Sequence, residues 1–195
     1  MEYQNKRRLI IGSSLLILLI FYLFKNISED IRVFGFIFGL FVFYFADKMF
    51  EINFRFRHYL CVLIILSFGI LLSPFYFLIE SYDKILHFFL PIIGSFLVFY
   101  IIDKQKLSLQ WKLLITFMFI ISFLTIHEIG EYLMDLLWDL KLQGVYIRDI
   151  SSFEKLNLVL SKHDDTMIDL ITGSIGAGVF VVGKTIENFL KSHKH

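Results

Sequence analysis

From Trp111 to Trp138 the sequence reads WKLLITFMFIISFLTIHEIGEYLMDLLW, and this stretch decides the fold. Its two indoles are 27 residues apart, or about 40 Å of α-helix at 1.5 Å per residue. That length matches a bilayer together with its headgroup zones, where Trp side chains anchor a span. The interior is almost wholly apolar until His127, Glu128, Glu131 and Asp135 appear in the last third. The stretch therefore predicts a membrane-crossing helix with a polar face near one end.

Five further apolar runs surround it, giving predicted spans near 9–24, 31–46, 59–79, 85–102, 113–138 and 166–184, with a longer connection over 139–165. The expected fold is an all-α polytopic bundle of about six spans, forming one transmembrane domain over 1–195. The composition agrees. Of 195 residues, 57% are hydrophobic, only 19% are charged and 24 are Phe, too apolar for an ordinary soluble domain. A net charge of +1 offers no concentrated basic surface for nucleic acid, and one cysteine, Cys61, excludes an internal disulfide framework. The first run follows Lys6-Arg7-Arg8 like a secretory signal, but no small-x-small cleavage site comes after it, so an uncleaved first span is expected.

Lys and Arg alternate between the connections. One side receives Lys6, Arg7, Arg8, Lys48, Arg55, Arg57, Lys104, Lys106, Lys112, Lys184, Lys191 and Lys194. The other receives Lys25, Arg32 and Lys84, then a long segment whose four basic residues are matched by five acidic ones. The positive-inside rule then puts both termini in the cytoplasm and the 139–165 connection outside. Within that connection, Phe153 to Leu160 reads either as a short amphipathic helix on the membrane surface or as an irregular loop.

Ionisable residues recur at a spacing of four, which puts each pair on one helix face, a turn apart. The pairs are Asp83 with His87, His127 with Glu131, and Asp165 with Asp169. By the expected topology all three lie in the outer half of the bilayer or at its outer edge. Burying such groups in a span costs about 2.5–3.5 kcal/mol each, so they face a bundle interior and commonly mark function. His127 lies about two turns inside its helix end and needs a partner there. Asp83, Asp135, Asp164 and Asp165 read more simply as solvated interfacial carboxylates, with Asp164 and Asp165 also suited to a helix N-terminus. For His87, His127, Glu131 and Asp169 a functional site competes with a hydrogen-bonded packing network.

Pro91 removes the amide that would bond the His87 carbonyl, and Thr172, Gly173, Gly176 and Ala177 continue the Asp169 face as a small-residue stripe. Nucleophile-elbow, phosphate-loop and CxxC patterns are absent. The sharpest chemistry left is a zinc-like divalent metal site built from His87, His127, Glu131 and Asp169, with Asp83, Glu128 and Asp165 as outer candidates. Its metal-bound water would sit at the level of lipid head groups. Two other classes use the same residues: a proton-coupled or ion-binding transporter, and a structural or partner-binding membrane protein.

Three motifs carry a family resemblance. Tyr82-Asp83-Lys84-Ile85-Leu86-His87-Phe88, His127-Glu128-Ile129-Gly130-Glu131-Tyr132 and Asp165-Thr166-Met167-Ile168-Asp169-Leu170, with Gly176-Ala177 following, resemble the YjdF-type bacterial membrane-spanning proteins. A more distant similarity to VanZ-like proteins rests on the Asp-Lys-x-x-His opening and the late Asp. The resemblance implies a multi-pass protein of the bacterial cytoplasmic membrane and selects Asp83, His87, Glu128, Glu131, Asp165 and Asp169.

Overall fold

A computed structural model describes residues 2–24, 30–149 and 155–193 and is mostly helical. Two compact units divide the chain, Met1–Ser73 and Pro74–His195.

The first unit contains α1 (Glu2–Phe24), α2 (Asp30–Met49) and α3 (Phe56–Leu66). Phe36, Leu40, Phe54, Tyr59 and Val62 form its buried apolar interior. Lys6 reaches from α1 to Asp47 of α2 at 3.0 Å, and both side chains are almost fully buried, at 1% and 0% exposure. The Phe54 amide donates to the other Asp47 oxygen at 3.0 Å, and the Tyr59 hydroxyl donates to the first at 2.7 Å. The link between α2 and α3 turns through left-handed conformations at Glu51 and Asn53 (φ 49° and 58°). There the Asn53 side-chain amide donates to the Glu51 carbonyl at 2.8 Å, the local bond that lets Asn tolerate this region. Burial first and the Arg57 charge second push the His58 imidazole down to about 4. The neutral ring accepts the Arg55 amide through Nδ1 at 2.9 Å, closing the start of α3.

The expected third span, 59–79, is not one regular helix. After Leu66 the chain makes a single wide π turn over Ser67–Leu71 and then a 3-10 turn over Ser73–Phe77. Pro74 is the physical reason: it lacks an amide hydrogen, and it disfavours α geometry at the residue before it. The apolar helical piece Phe56–Leu71 is therefore about 24 Å long, short of the ~30 Å hydrocarbon core. α2 has the length, but every 18-residue window in it includes three charges drawn from Asp30, Arg32, Asp47 and Lys48.

Among the described residues, the second unit holds three helices long and apolar enough to cross a membrane: α4 (Tyr82–Ile102), α5 (Leu109–Trp138) and α6 (Lys162–Ser192), with mean hydropathies of 2.3, 1.9 and 1.6 over an 18-residue stretch of each. Ile120 and Leu124 of α5 and Ala177 of α6 make the buried core, with Val98, Phe117, Ile121 and Leu170 packed around it. Large apolar side chains such as Met118, Phe119, Phe123 and Ile126 point outward, as a lipid-facing surface requires. Trp111 and Trp138 are both exposed at the ends of α5, consistent with interfacial anchoring.

α6 lies against the α4 backbone. A Cβ on Gly176 would stand 2.2 Å from the Phe88 carbonyl oxygen, and one on Gly173 would meet the Leu124 side chain at 2.6 Å and the His87 carbonyl oxygen at 3.3 Å. Pro91, buried inside α4, lacks the amide that would bond that His87 carbonyl. Small residues on one helix thus meet an opened backbone ladder on the other.

Between α5 and α6 the chain forms a hairpin of β1 (Val145–Arg148) and β2 (Leu156–Leu160), antiparallel, with Val145 opposite Leu160 and Arg148 opposite Leu156. The surface helix considered for 153–160 is replaced by strand over 156–160, while Phe153 lies outside the described residues. Pairing with Val145-Tyr146-Ile147, a strand-forming run, fixes this outcome. Gly144, with φ +86°, makes the turn into β1 that a side chain would strain.

Candidate functional site

The amino ends of α4 and α6 and the last third of α5 meet at one end of the three-helix bundle. Two helix N-termini attract carboxylates there, through unpaired amides and the positive pole of each dipole. Asp83 lies in the first turn of α4, and Asp164 and Asp165 lie in that of α6. Ser161 caps α6: its hydroxyl oxygen accepts the Asp164 amide at 3.2 Å and its O–H donates to the Asp164 carboxylate at 2.7 Å. Asp164 is exposed and does no more than this.

Asp165 and Asp169 point inward and are buried, contrary to the expectation of a solvated interfacial Asp165. Asp135, expected to be solvated too, is also buried. The loop entering the hairpin covers both. Asp165 Oδ2 accepts the Gly144 amide at 2.7 Å, and Asp135 accepts the amides of Leu142 at 2.7 Å and Gln143 at 3.2 Å. Asp135 sits at the negative pole of α5, and the Lys162 ammonium at 2.9 Å offsets that cost. The Gln143 side-chain amide donates to the Thr166 hydroxyl at 3.1 Å, tying the same loop to α6.

Lys84 is the residue that sequence reasoning missed. It entered there as a connection charge and as a motif position, never as a site residue, yet its Nζ donates to Asp83 at 3.0 Å, to both oxygens of Asp169 at 2.7 and 2.8 Å, and to Asp165. The signal was its position: an ammonium in the first turn of a helix opposes the dipole and needs carboxylates around it.

Beyond Lys84 the cluster is less well satisfied. Asp83, His87 and Asp169 each offer a ligand atom within 4.8 Å of the others. His87 Nε2 is 3.5 Å from Asp83 Oδ1 and 3.8 Å from Glu128 Oε1, longer than hydrogen bonds. His87 Nδ1 and Glu128 Oε1 are buried and have no hydrogen-bond partner among the described residues. Glu131 stands further along α5, 3.7 Å from His127 Nδ1. His127 is 44% exposed on the outside of the bundle, and its ring centroid is 5.7 Å from that of His87.

Of the four central candidates, His87 and Asp169 come together, joined by Asp83 and then Glu128, whereas His127 and Glu131 flank them. Apart from the Asp135–Lys162 pair, five carboxylates (Asp83, Glu128, Glu131, Asp165 and Asp169) share this end of the bundle with the Lys84 ammonium. If all are ionised, four negative charges are uncompensated, in surroundings that screen poorly. Such a site holds protons or takes a cation.

No curated protein and no solved structure matches this chain. A family model does, over residues 8–187, and its description is "Predicted membrane protein (DUF2238)". Spanning nearly the whole sequence, that match makes the chain a member of this membrane protein family.

Proposed function

We propose that the polar end of the α4–α5–α6 bundle is a divalent, zinc-like metal site formed by Asp83, His87 and Asp169, with Glu128 as a fourth donor. One observation supports this above others. The 3.5 and 3.8 Å separations around His87 Nε2 are too long for hydrogen bonds. They approach the roughly 3.4 Å between two donors held about 2.1 Å from one tetrahedral ion. The unpartnered Glu128 Oε1 and the mixed nitrogen and oxygen donor set suit the same ion. When bound, a divalent ion supplies Lewis acidity and an acidified water.

The reading extends to topology and partner. Both termini are cytoplasmic, the first unit supplies the remaining spans of a multi-pass protein of the bacterial cytoplasmic membrane, and the cluster faces the extracytoplasmic head groups. Lys and Arg alternation supports the orientation, and the YjdF-type motifs, with the more distant VanZ-like opening, support the choice of residues. The protein recognises or acts on an envelope lipid head group. His127 and Glu131 flank the metal without being its first ligands.

The test is elemental analysis of detergent-purified protein after exposure to zinc. One ion per chain in the wild type, lost in His87→Ala and Asp169→Asn, is expected. A metal-free wild type that the two substitutions leave unchanged would sink the proposal. Lys84, which already satisfies Asp165 and Asp169, supports a second reading, a packing network. Under that reading the same substitutions lower the melting temperature and alter no metal content.

A further inference from the structure

Building on the metal reading above, we infer that the Lys84 ammonium and the divalent ion are alternative occupants of one carboxylate site, and that the cavity beside Lys84 receives its side chain when metal binds.

The argument begins with Asp169. Both of its oxygens are engaged by Lys84, at 2.7 and 2.8 Å, and Asp83 Oδ2 is engaged at 3.0 Å. A metal drawing on Asp83, His87 and Asp169 needs at least one Asp169 oxygen back. Charge alone forces neither cation out, because the carboxylates outnumber both; the two compete because each draws on the same Asp169 and Asp83 oxygens.

Lys84 is the member able to release them. Its side chain is 21% exposed, whereas those of Asp165 and Asp169 are 4% and 1% exposed. Asp165 is further tied down by the Gly144 amide. Lys84 also lines a cavity of about 460 Å³, together with Glu80, Ser81, Val145, Val159, Leu160 and Ile168. The apolar walls suit the four methylenes of the lysine stem, which can cover apolar surface while the charged head stays hydrated. Exposed Glu80, four residues before Lys84, offers the displaced ammonium a carboxylate. Lys84 therefore stands between two acidic partners, one inside the cluster and one at the cavity mouth. While it holds the inner partners it compensates part of the cluster charge without metal. When it swings out it vacates the ligands.

Zinc alone is the probe, titrated calorimetrically into detergent-purified full-length protein. Lys84→Met is expected to bind zinc at least tenfold more tightly than wild type, and Glu80→Gln several-fold more weakly. In wild type, acylation of Lys84 by a water-soluble amine reagent, read by mass spectrometry, is expected to rise several-fold on zinc saturation. Unchanged or weaker binding by Lys84→Met, while wild type binds, overturns the competition and leaves the metal site standing. Failure of both proteins to bind zinc overturns the metal reading and this inference with it. If Lys84→Met does not fold, labelling of wild type decides: Lys84 reactivity that zinc leaves unchanged refutes the exchange. Glu80→Gln with wild-type affinity refutes the role given to the cavity.

Discussion

The chain sets a lysine against buried aspartate twice, Lys6 fully buried and Lys84 partly exposed, and the two clusters differ in their balance. In the first unit, among the described residues, Lys6 pairs with Asp47, whose oxygens are shared among that ammonium, the Tyr59 hydroxyl and the Phe54 amide. The Lys6 ammonium also lies over the Tyr3 and Tyr59 rings, at 4.4 and 5.3 Å from their centroids. In the second unit one Lys84 faces three aspartates, with two glutamates and a histidine next to them and polar atoms left over. A buried pair compensated one for one holds helices together. A surplus of one sign costs stability, and under the proposed metal reading the ion offsets that cost.

Lys6→Met should have the largest effect on stability. It leaves Asp47 buried without its cation, a change that costs about 3–5 kcal/mol. The expected result is a large fall in melting temperature in detergent that zinc does not restore. By contrast, zinc should recover much of any stability that Lys84→Met loses. Equal behaviour of the two variants in zinc would erase the distinction between a structural and a functional cluster.

Gly176→Ala comes next. Its Cβ would meet the Phe88 carbonyl, a backbone atom that cannot rotate away. Overpacking of this kind costs about 1–3 kcal/mol. Because the substitution parts the helices that carry Asp83, His87 and Asp169, weaker zinc binding should accompany the lower melting temperature. Wild-type zinc affinity in a destabilised Gly176→Ala would show that the ligands do not depend on the α4–α6 contact.

Asp135→Ala strips the Leu142 and Gln143 amides of their acceptor, at about 1–3 kcal/mol for leaving buried donors unmade. Hydrogen exchange should quicken over 142–148 with little change in zinc affinity. The smallest effect is expected of Ser161→Ala, which removes the α6 cap for about 1 kcal/mol, visible as faster exchange at Asp164 and Asp165.

Much of the second unit is legible in the sequence, because span length and hydrophobicity are local properties. Trp111 to Trp138 is one helix as read, and the spacing of four puts Asp83 with His87 and Asp165 with Asp169 on shared faces. What escapes is whatever depends on contacts distant in sequence. The hairpin is invisible because two segments of four and five residues gain strand character only by pairing. The burial of Asp135 and Asp165 follows from that hairpin, so it is invisible for the same reason. Lys84 is misread because a basic residue between two apolar runs counts first as a topology signal. Lys6 and Asp47, 41 residues apart, offer no local pattern at all. The third predicted span is not one regular helix because Pro74 interrupts it.

Pro91 and Gly176 together limit how this bundle can move. Where Gly173 and Gly176 meet the His87 and Phe88 carbonyls, no side chain lies between the α4 and α6 backbones to take up sliding or parting. That contact sits beside Asp83, His87 and Asp169 and limits changes in their spacing. Any breathing that admits a ligand is left to the parts outside that contact: the Lys84 side chain, the hairpin and α5, which brings Glu128 and Glu131 on a separate lever.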